Sequence, residues 1–258
     1  METVDPDWWK TLFDETYLIT DARTVCDDGL TCREVDFLEQ ALKLERSWPI
    51  LDLCGGHGRH SLELSRRGFR DITVLDYSPV LIDLGRDMAQ REGLNTLFIR
   101  RDARDTGLPS GRFRIIIVMA SSFGYFVDDG ENERILREAF RLLAPRGLFL
   151  LDLPHREYVS KNFAPQSWHE ANEEIVVCRK RRMDGDIVYG REVVISKVKG
   201  IIRDATYCTR LYGPGKIRAM LTSAGFASVT TQKGFVSHAE KGDYGLMANR
   251  MIVIADKK

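Results

Sequence analysis

The chain has 258 residues, 43% hydrophobic and 29% charged, the composition of an ordinary globular protein with one sizeable core, or one core and a small appendage. Lys plus Arg equals Asp plus Glu at 38 each, so no overall charge draws the molecule toward nucleic acid. The five cysteines, Cys26, Cys32, Cys54, Cys178 and Cys208, are odd in number and contain no C-x-x-C pair, which argues against a disulfide framework or a zinc site.

The acidic start, Met1 to Asp7, has no apolar signal segment, and the longest apolar run, Ile115 to Ala120, is too short to span a bilayer. The expectation is a cytoplasmic protein without a membrane partner. From Trp8 to Leu18, the positions of Trp8, Trp9, Leu12, Phe13, Tyr17 and Leu18 predict a short amphipathic helix. Val35, Leu38 and Leu42 predict a second helix over Glu34 to Leu44.

An apolar run from Trp48 to Leu53 then gives way to Gly55, Gly56 and Gly58, before Leu62 and Leu64 open a segment without breakers. This reads as strand, glycine turn and helix start, and the turn either cradles a cofactor with its backbone N–H groups or merely connects the two elements. Two acids favour the cradle. Asp52 precedes the turn, and Asp76, followed by Tyr77, ends the next apolar strand, Asp71 to Asp76, where a carboxylate can accept from both ribose hydroxyls.

Ser78-Pro79 predicts an N-cap and first helical residue for a helix running to about Glu92 and Gly93, and Thr96 to Arg100 predicts a third strand, followed by Asp102 and Ala103. Arg114 to Ala120 reads as a central parallel strand buried on both faces, ending in Ser121-Ser122-Phe123-Gly124-Tyr125-Phe126 at the edge where ligands bind in such sheets. A helix over Glu131 to Leu143 and a strand over Leu148 to Leu153 follow, running into Pro154-His155-Arg156.

From about Trp168 the pattern changes. Glu174 to Met183, Ile187 to Val198 and Ile201 to Tyr212 are strand-like with no helices between them, and Asp184-Gly185-Asp186 marks a hairpin, so an antiparallel insert is expected. The basic run Arg179 to Arg182 reads as a solvated edge strand. Pro214 to Ala224 predicts a helix, and Ala227 to Val236 and Leu246 to Ala255 predict the last strands.

The run Asp52-Leu53-Cys54-Gly55-Gly56-His57-Gly58 resembles the D-x-G-x-G-x-G motif of class I S-adenosylmethionine-dependent methyltransferases, with Cys54 at the usual first glycine. It is more similar still to a small-molecule branch that reads L-D-L-C-C-G-x-G-R-H, in which Gly55 replaces the second cysteine. Ser122 to Phe126, Ala144-Pro145-Arg146-Gly147 and Leu221 to Phe226 also resemble segments of that family. The resemblance implies an α/β fold: a doubly wound, seven-stranded Rossmann-like sheet with an inserted antiparallel β subdomain. It divides the chain into an N-terminal cap (1–46), a core (47–160 and 213–258) and a lid or substrate-binding insert (161–212).

The implied cofactor is S-adenosyl-L-methionine, with S-adenosyl-L-homocysteine as product. The candidate cofactor-binding residues are Arg23, Asp52, Cys54, Gly55, Gly56, Gly58, Asp76, Tyr77, Asp102, Ala103 and Ser121. Within that set the resemblance puts Arg23 near the methionine carboxylate and Asp102 at the adenine amino group; the alternative for Asp102 is a loop acid paired with Arg100, Arg101 or Arg104. Tyr17, Phe123, Tyr125 and His155 are the candidates for acceptor positioning or proton removal. Phe123 and Tyr125 read equally as aromatics that cap the core, and His155 as a histidine bonding a loop backbone. His57 and His60 have no partner at metal-ligand spacing and belong to the turn and helix start, so no metal is expected.

The expected acceptor is a small molecule, with an amine nitrogen ahead of oxygen and no nucleic acid; a homo-oligomer is possible. Other readings are an O-methyltransferase, a non-catalytic cofactor-binding protein and a nicotinamide-dependent oxidoreductase. The last has a G-x-G-x-x-G fingerprint whose third glycine is Ser61 here.

Overall fold

The apolar runs assemble into a seven-stranded sheet in the computed structural model, which describes residues 4–236, 238 and 245–258. Its strands are β1 (Ile50–Leu53), β2 (Ile72–Asp76), β3 (Thr96–Arg100), β4 (Phe113–Val118), β5 (Leu143–Pro154), β10 (Val229–Phe235) and β11 (Arg250–Asp256). Their order is β10-β11-β5-β4-β1-β2-β3, with β1 to β5 parallel and β11 inserted antiparallel between β5 and β10.

Side chains of a strand alternate between faces, so each strand supplies two cores. Leu51, Leu53, Ile116, Val118, Phe149 and Leu151 pack on one side with α6 (Asp129–Leu142) and α8 (Pro214–Ala224). Ile50, Ile115, Ile117, Leu150 and Ile252 pack on the other, with α3 (Asp28–Leu42) and α4 (Arg59–Arg66), while α5 (Pro79–Glu92) closes over Val74 and Phe98. Ser78 caps α5 by accepting from Leu81 N at 3.1 Å, with Pro79 in its first turn, as its sequence predicts.

The second sheet is a four-stranded antiparallel meander, β6 (Gln166–Glu170), β7 (Ile175–Asp184), β8 (Ile187–Ser196) and β9 (Gly200–Arg210). Strand β6 and the short helix α7 (Arg156–Lys161) before it have no counterpart in the sequence reading. Because β6 pairs with β7, the basic run is not on an edge strand: Lys180 and Arg182 are exposed, whereas Arg179 and Arg181 turn to the opposite face. The predicted helix over 8–18 is also two pieces, a 3-10 turn at Trp8–Lys10 and α1 (Glu15–Thr20). Asp14 interrupts it because its carboxylate accepts from Thr16 N at 2.8 Å and Tyr17 N at 3.1 Å, a cap that starts a new helix. A further turn of helix, α2 (Ala22–Val25), precedes α3, which begins six residues earlier than its apolar pattern indicates because Asp27 caps it through Leu30 N at 2.8 Å.

A charged cluster lies inside the apolar layer between α3 and the sheet. Arg250 on β11 donates to Asp152 on β5 at 2.5 Å and also bonds Glu34 on α3; Glu34 in turn meets Arg59 at 2.5 Å and His60 Nε2 at 2.8 Å. Arg250, Glu34 and Asp152 have no exposed surface. Burial pushes the Glu34 carboxyl up, but the His60 bond and the two guanidiniums outweigh it and hold it well below its usual range. Removing one partner leaves buried charge uncompensated, so Arg250→Met should lose about 3–5 kcal/mol of stability. Urea unfolding measures this directly, and an unchanged midpoint would refute a structural role for the cluster.

Candidate active site

At the carboxyl end of β1 the backbone reverses through left-handed conformations at Cys54 (φ 60°), Gly56 (φ 58°) and Gly58 (φ 74°) before α4 begins. Gly55 is demanded by its neighbour: a Cβ there would lie 2.6 Å from the Asp52 carboxyl carbon. The loop is tied to the end of β2, where Asp76 accepts from Gly56 N at 2.9 Å through one oxygen and from Ser78 N at 2.9 Å through the other. Burial raises the Asp76 carboxyl above its usual value, against the lowering effect of these N–H donors.

Asp52 is wholly buried. One of its oxygens accepts from Ser61 Oγ at 2.9 Å, and the other has no partner among the described residues. Burial pushes its pKa to about 7. An orphaned, buried carboxylate oxygen lining a cavity suits a ligand cation.

That cavity, of about 990 Å³ and open to solvent, is lined by Asp52, Cys54, Gly55, Gly56, Asp76, Tyr77, Asp102 and Ala103, among others. Its far wall is aromatic, with Trp9 edge-on to Tyr77 at 4.7 Å and to Phe126 at 5.6 Å between ring centroids. Asp102 pairs with Arg104 at 2.6 Å, and Arg104 also lies over the rings of Trp9 and Phe126. Asp102 therefore occupies the loop-acid pairing and the cavity wall at once.

A second cavity, of about 1100 Å³, adjoins the first and shares Phe13, Tyr17, Val25, Ala120 and Tyr125 with it. Phe13 stacks on Tyr125 at 5.6 Å and meets Tyr17 edge-on at 5.1 Å, forming a partition of rings between the chambers. At the partition's base, Ala120 (φ 55°) and Ser121 (φ 59°) are consecutive non-glycine residues in left-handed conformation, with Ala120 N bonded to Asp152 at 2.9 Å. Strain of this kind persists only where surrounding structure over-determines it.

The remaining sequence candidates fall elsewhere. Gly58 touches neither chamber; it lets α4 start against Phe98, whose ring edge would lie 2.8 Å from a Cβ. Ser121 and Arg23 line the second chamber, Arg23 reaching Glu170 O at 3.4 Å. Phe123 borders the first chamber but is fully buried against Tyr212. His155 lines neither; it precedes α7 with Nδ1 3.0 Å from Asn249 Oδ1. His57 and His60 both line the first chamber and are both pushed down to about 4 by burial and Arg59, so both are neutral at pH 7.

Sequence reasoning missed Arg59 in the first chamber and His169, Arg179, Arg181 and Glu192 in the second. Strand alternation placed Arg179 and Arg181 on one face; the cue absent from the sequence was that this face looks inward.

The fold is the Rossmann-like fold of class I S-adenosylmethionine-dependent methyltransferases. Residues 50–147 match the family Methyltransf_25, described as a methyltransferase domain. It is 34% identical over 107 residues to a demethylmenaquinone methyltransferase of Thermus thermophilus, covering 41% of this chain and 47% of that one. The chain spans about half the length of the curated relatives it matches.

Among solved structures it is similar to an S-adenosylmethionine-dependent methyltransferase from Clostridium acetobutylicum, with TM-score 0.73 at 14% identity over 94% of this chain and 96% of that one. It is also similar to CalS10 from Micromonospora echinaspora, an amino pentose methyltransferase solved with S-adenosylmethionine bound, with TM-score 0.66 at 16% identity over 96% and 99% of the two chains. At these identities the likeness concerns the fold.

Two predictions follow from the loop. Gly55→Ala drives a methyl into the Asp52 carboxyl and should abolish cofactor-analogue binding, whereas Cys54→Gly removes left-handed strain of about 1 kcal/mol and should preserve binding with a slightly raised melting temperature. Calorimetric titration with S-adenosylhomocysteine, paired with a melting curve, reads both.

Proposed function

We propose that this protein transfers a methyl group from S-adenosylmethionine to a small-molecule amine. The observation that carries the reading is the pair of buried carboxylates, Asp52 and Asp76, lining one cavity with the glycine loop, with one oxygen of Asp52 left for a ligand cation. The residues present suit such a cofactor. Asp52 would face its ammonium, Asp76 its ribose hydroxyls, and Asp102, Ala103, Tyr77 and Phe126 its base. Arg59 and Arg101 both line that chamber, Arg59 already engaged by Glu34 and Thr31, while Arg23 stands in the neighbouring one.

When bound, the cofactor supplies a sulfonium methyl whose leaving group is already activated. The protein's task is then alignment, with reacting atoms about 3–3.5 Å apart, and exclusion of water. Tyr17 and Tyr125 stand between the chambers and position the acceptor as neutral hydroxyls, since burial first, and nearby groups after it, push both phenols up. Aromatic faces of Phe13 and Tyr125 stabilise a cationic amine. A protonated amine must lose a proton before it reacts, and the imidazole beside the second chamber is His169, whose Nε2 donates to Thr20 O at 3.3 Å and leaves Nδ1 to accept. Residues 161–212 act as the substrate-binding insert and 1–46 as a cap, a division supported by the pairs Arg203–Asp14 and Arg179–Asp21 between them.

The oxidoreductase reading fares worse, because Ser61, standing where that fingerprint needs glycine, has its hydroxyl committed to Asp52. Parallel titrations with S-adenosylmethionine, S-adenosylhomocysteine and NAD test the choice. The first two should bind saturably and lose affinity by at least about a hundredfold in Asp76→Ala, as expected for a charged hydrogen-bond partner; binding of NAD alone would reverse the assignment.

The pH dependence is a separate check. A free Asp52 pKa of about 7 means that the ionised form which pairs with an ammonium is scarce at pH 5.5 and half-populated at pH 7. Affinity for S-adenosylhomocysteine should therefore tighten about tenfold across that interval in the wild type and stay flat in Asp52→Asn. The same linkage makes the ligand-free protein lose stability from Asp52 as pH rises from its unfolded value near 3.8 toward 7, so Asp52→Asn should melt higher than wild type at pH 7.5 and no higher at pH 4.

A further inference from the structure

The second chamber holds a buried cation with no counter-ion among the described residues. Arg181 is 8% exposed and lines that chamber from β7. Its Nε donates to Tyr207 OH at 3.3 Å and its Nη1 to Ser167 Oγ at 3.1 Å, both neutral groups, and among the described residues no carboxylate lies within 4.0 Å of it. The acids nearby are committed elsewhere. Glu192 holds Arg179 at 2.7 Å and Arg203 at 3.2 Å, and Asp21 holds Arg179 at 2.8 Å.

The arrangement is built across three strands. Arg181 on β7 is in register with Gly190 on β8, and Gly190 with Tyr207 on β9. A Cβ at 190 would lie 2.2 Å from the Tyr207 ring, so the glycine is what allows the phenol to lean across β8 to the guanidinium. A guanidinium has five N–H donors, and the two protein bonds leave donors for a ligand.

We infer that the acceptor carries a carboxylate, and that Arg181, oriented by Tyr207 and Ser167, binds it in the second chamber. This deepens the methyltransferase reading and rests on it. Desolvating a cation without an anion is costly unless a ligand completes the pair, and the guanidinium–carboxylate bond is among the stronger and more directional recognition contacts. Charge decides the class of anion. Three guanidiniums, Arg23, Arg179 and Arg181, face two carboxylates, Asp21 and Glu192; His169 adds no charge at pH 7, because burial and Arg179 push its pKa down. One uncompensated positive charge suits a monoanion better than a phosphate dianion. Trp8, Leu12, Phe13 and Tyr207 line part of the chamber beside Thr20, Thr24 and Thr209, so an apolar or aromatic body carrying a few hydrogen-bonding groups fits it.

The test uses benzoate, its neutral isostere benzamide, and phenyl phosphate, titrated into the full chain with and without S-adenosylhomocysteine, for the wild type, Arg181→Met and Arg181→Lys. Benzoate should bind at least about tenfold more tightly than benzamide or phenyl phosphate in the wild type; Arg181→Met should erase that preference and Arg181→Lys should restore part of it. Benzoate no tighter than benzamide in the wild type, or a preference that survives in Arg181→Met, overturns the inference. A preference for phenyl phosphate overturns the carboxylate assignment. The wild-type comparison decides even if Arg181→Met fails to fold. S-Adenosylhomocysteine binding separates the two levels: its absence from the wild type sinks the methyltransferase reading, whereas its presence without a benzoate preference sinks only the carboxylate.

Discussion

Asp152 is the residue through which the interior and the site are joined. It sits near the carboxyl end of β5 with no exposure, and the same carboxylate oxygen accepts from Arg250 on β11 and from the backbone N–H of Ala120. The first bond anchors it to the buried cluster that reaches Glu34, Arg59 and His60. The second holds the left-handed turn at Ala120 and Ser121, which forms part of the partition between the chambers. Burial pushes Asp152 up to about 6, and Arg250 works against that shift. A turn that L-residues disfavour is thus held by a charge that the core would not tolerate without Arg250.

The glycine loop depends on a related economy of space. Asp52 fills the room that a side chain at 55 would need, and α5 comes close enough to the loop that a Cβ at Gly85 would lie 2.7 Å from His57 O. The strand–loop–helix unit therefore has little freedom to move. Its cavity-lining carboxylates, Asp52 and Asp76, are held in place by the protein alone, a form of preorganisation that limits the entropic cost of binding.

Much of the core was legible because its signals are local. Ser78-Pro79 marked the start of α5, Gly93 and Gly225 marked helix ends, and the β-branched run around Ile115 to Val118 marked a central strand. Asp52, Asp76 and Asp102 were placed by their offsets from strand ends, and all three line the first chamber. What the chain hid was non-local. Asp14 falls inside the helix that the sequence predicts, whereas in the structure its carboxylate caps α1. The basic strand looked solvated because a sequence shows which residues share a face but not what that face meets. Arg250 falls inside the strand that the sequence predicts over Leu246 to Ala255, and only the sheet order, with β11 between β5 and β10, brings it to Asp152 and Glu34. His155 followed a strand end, as site residues do, but its strand runs past the chambers toward α7.

The helix α1 is fastened differently from the core it covers. Asp14 and Asp21 flank it, and each pairs with an arginine of the insert, Arg203 and Arg179. Both acids are about one-third exposed, whereas Glu34, Asp152 and Arg250 are not exposed at all. Dissolved ions screen the first set and scarcely reach the second. Any exchange of ligands that requires lifting Tyr17 away from the partition must break the screened pairs and can leave the buried ones intact. Raised ionic strength therefore weakens the fastening of α1 more than it weakens the buried cluster beneath it.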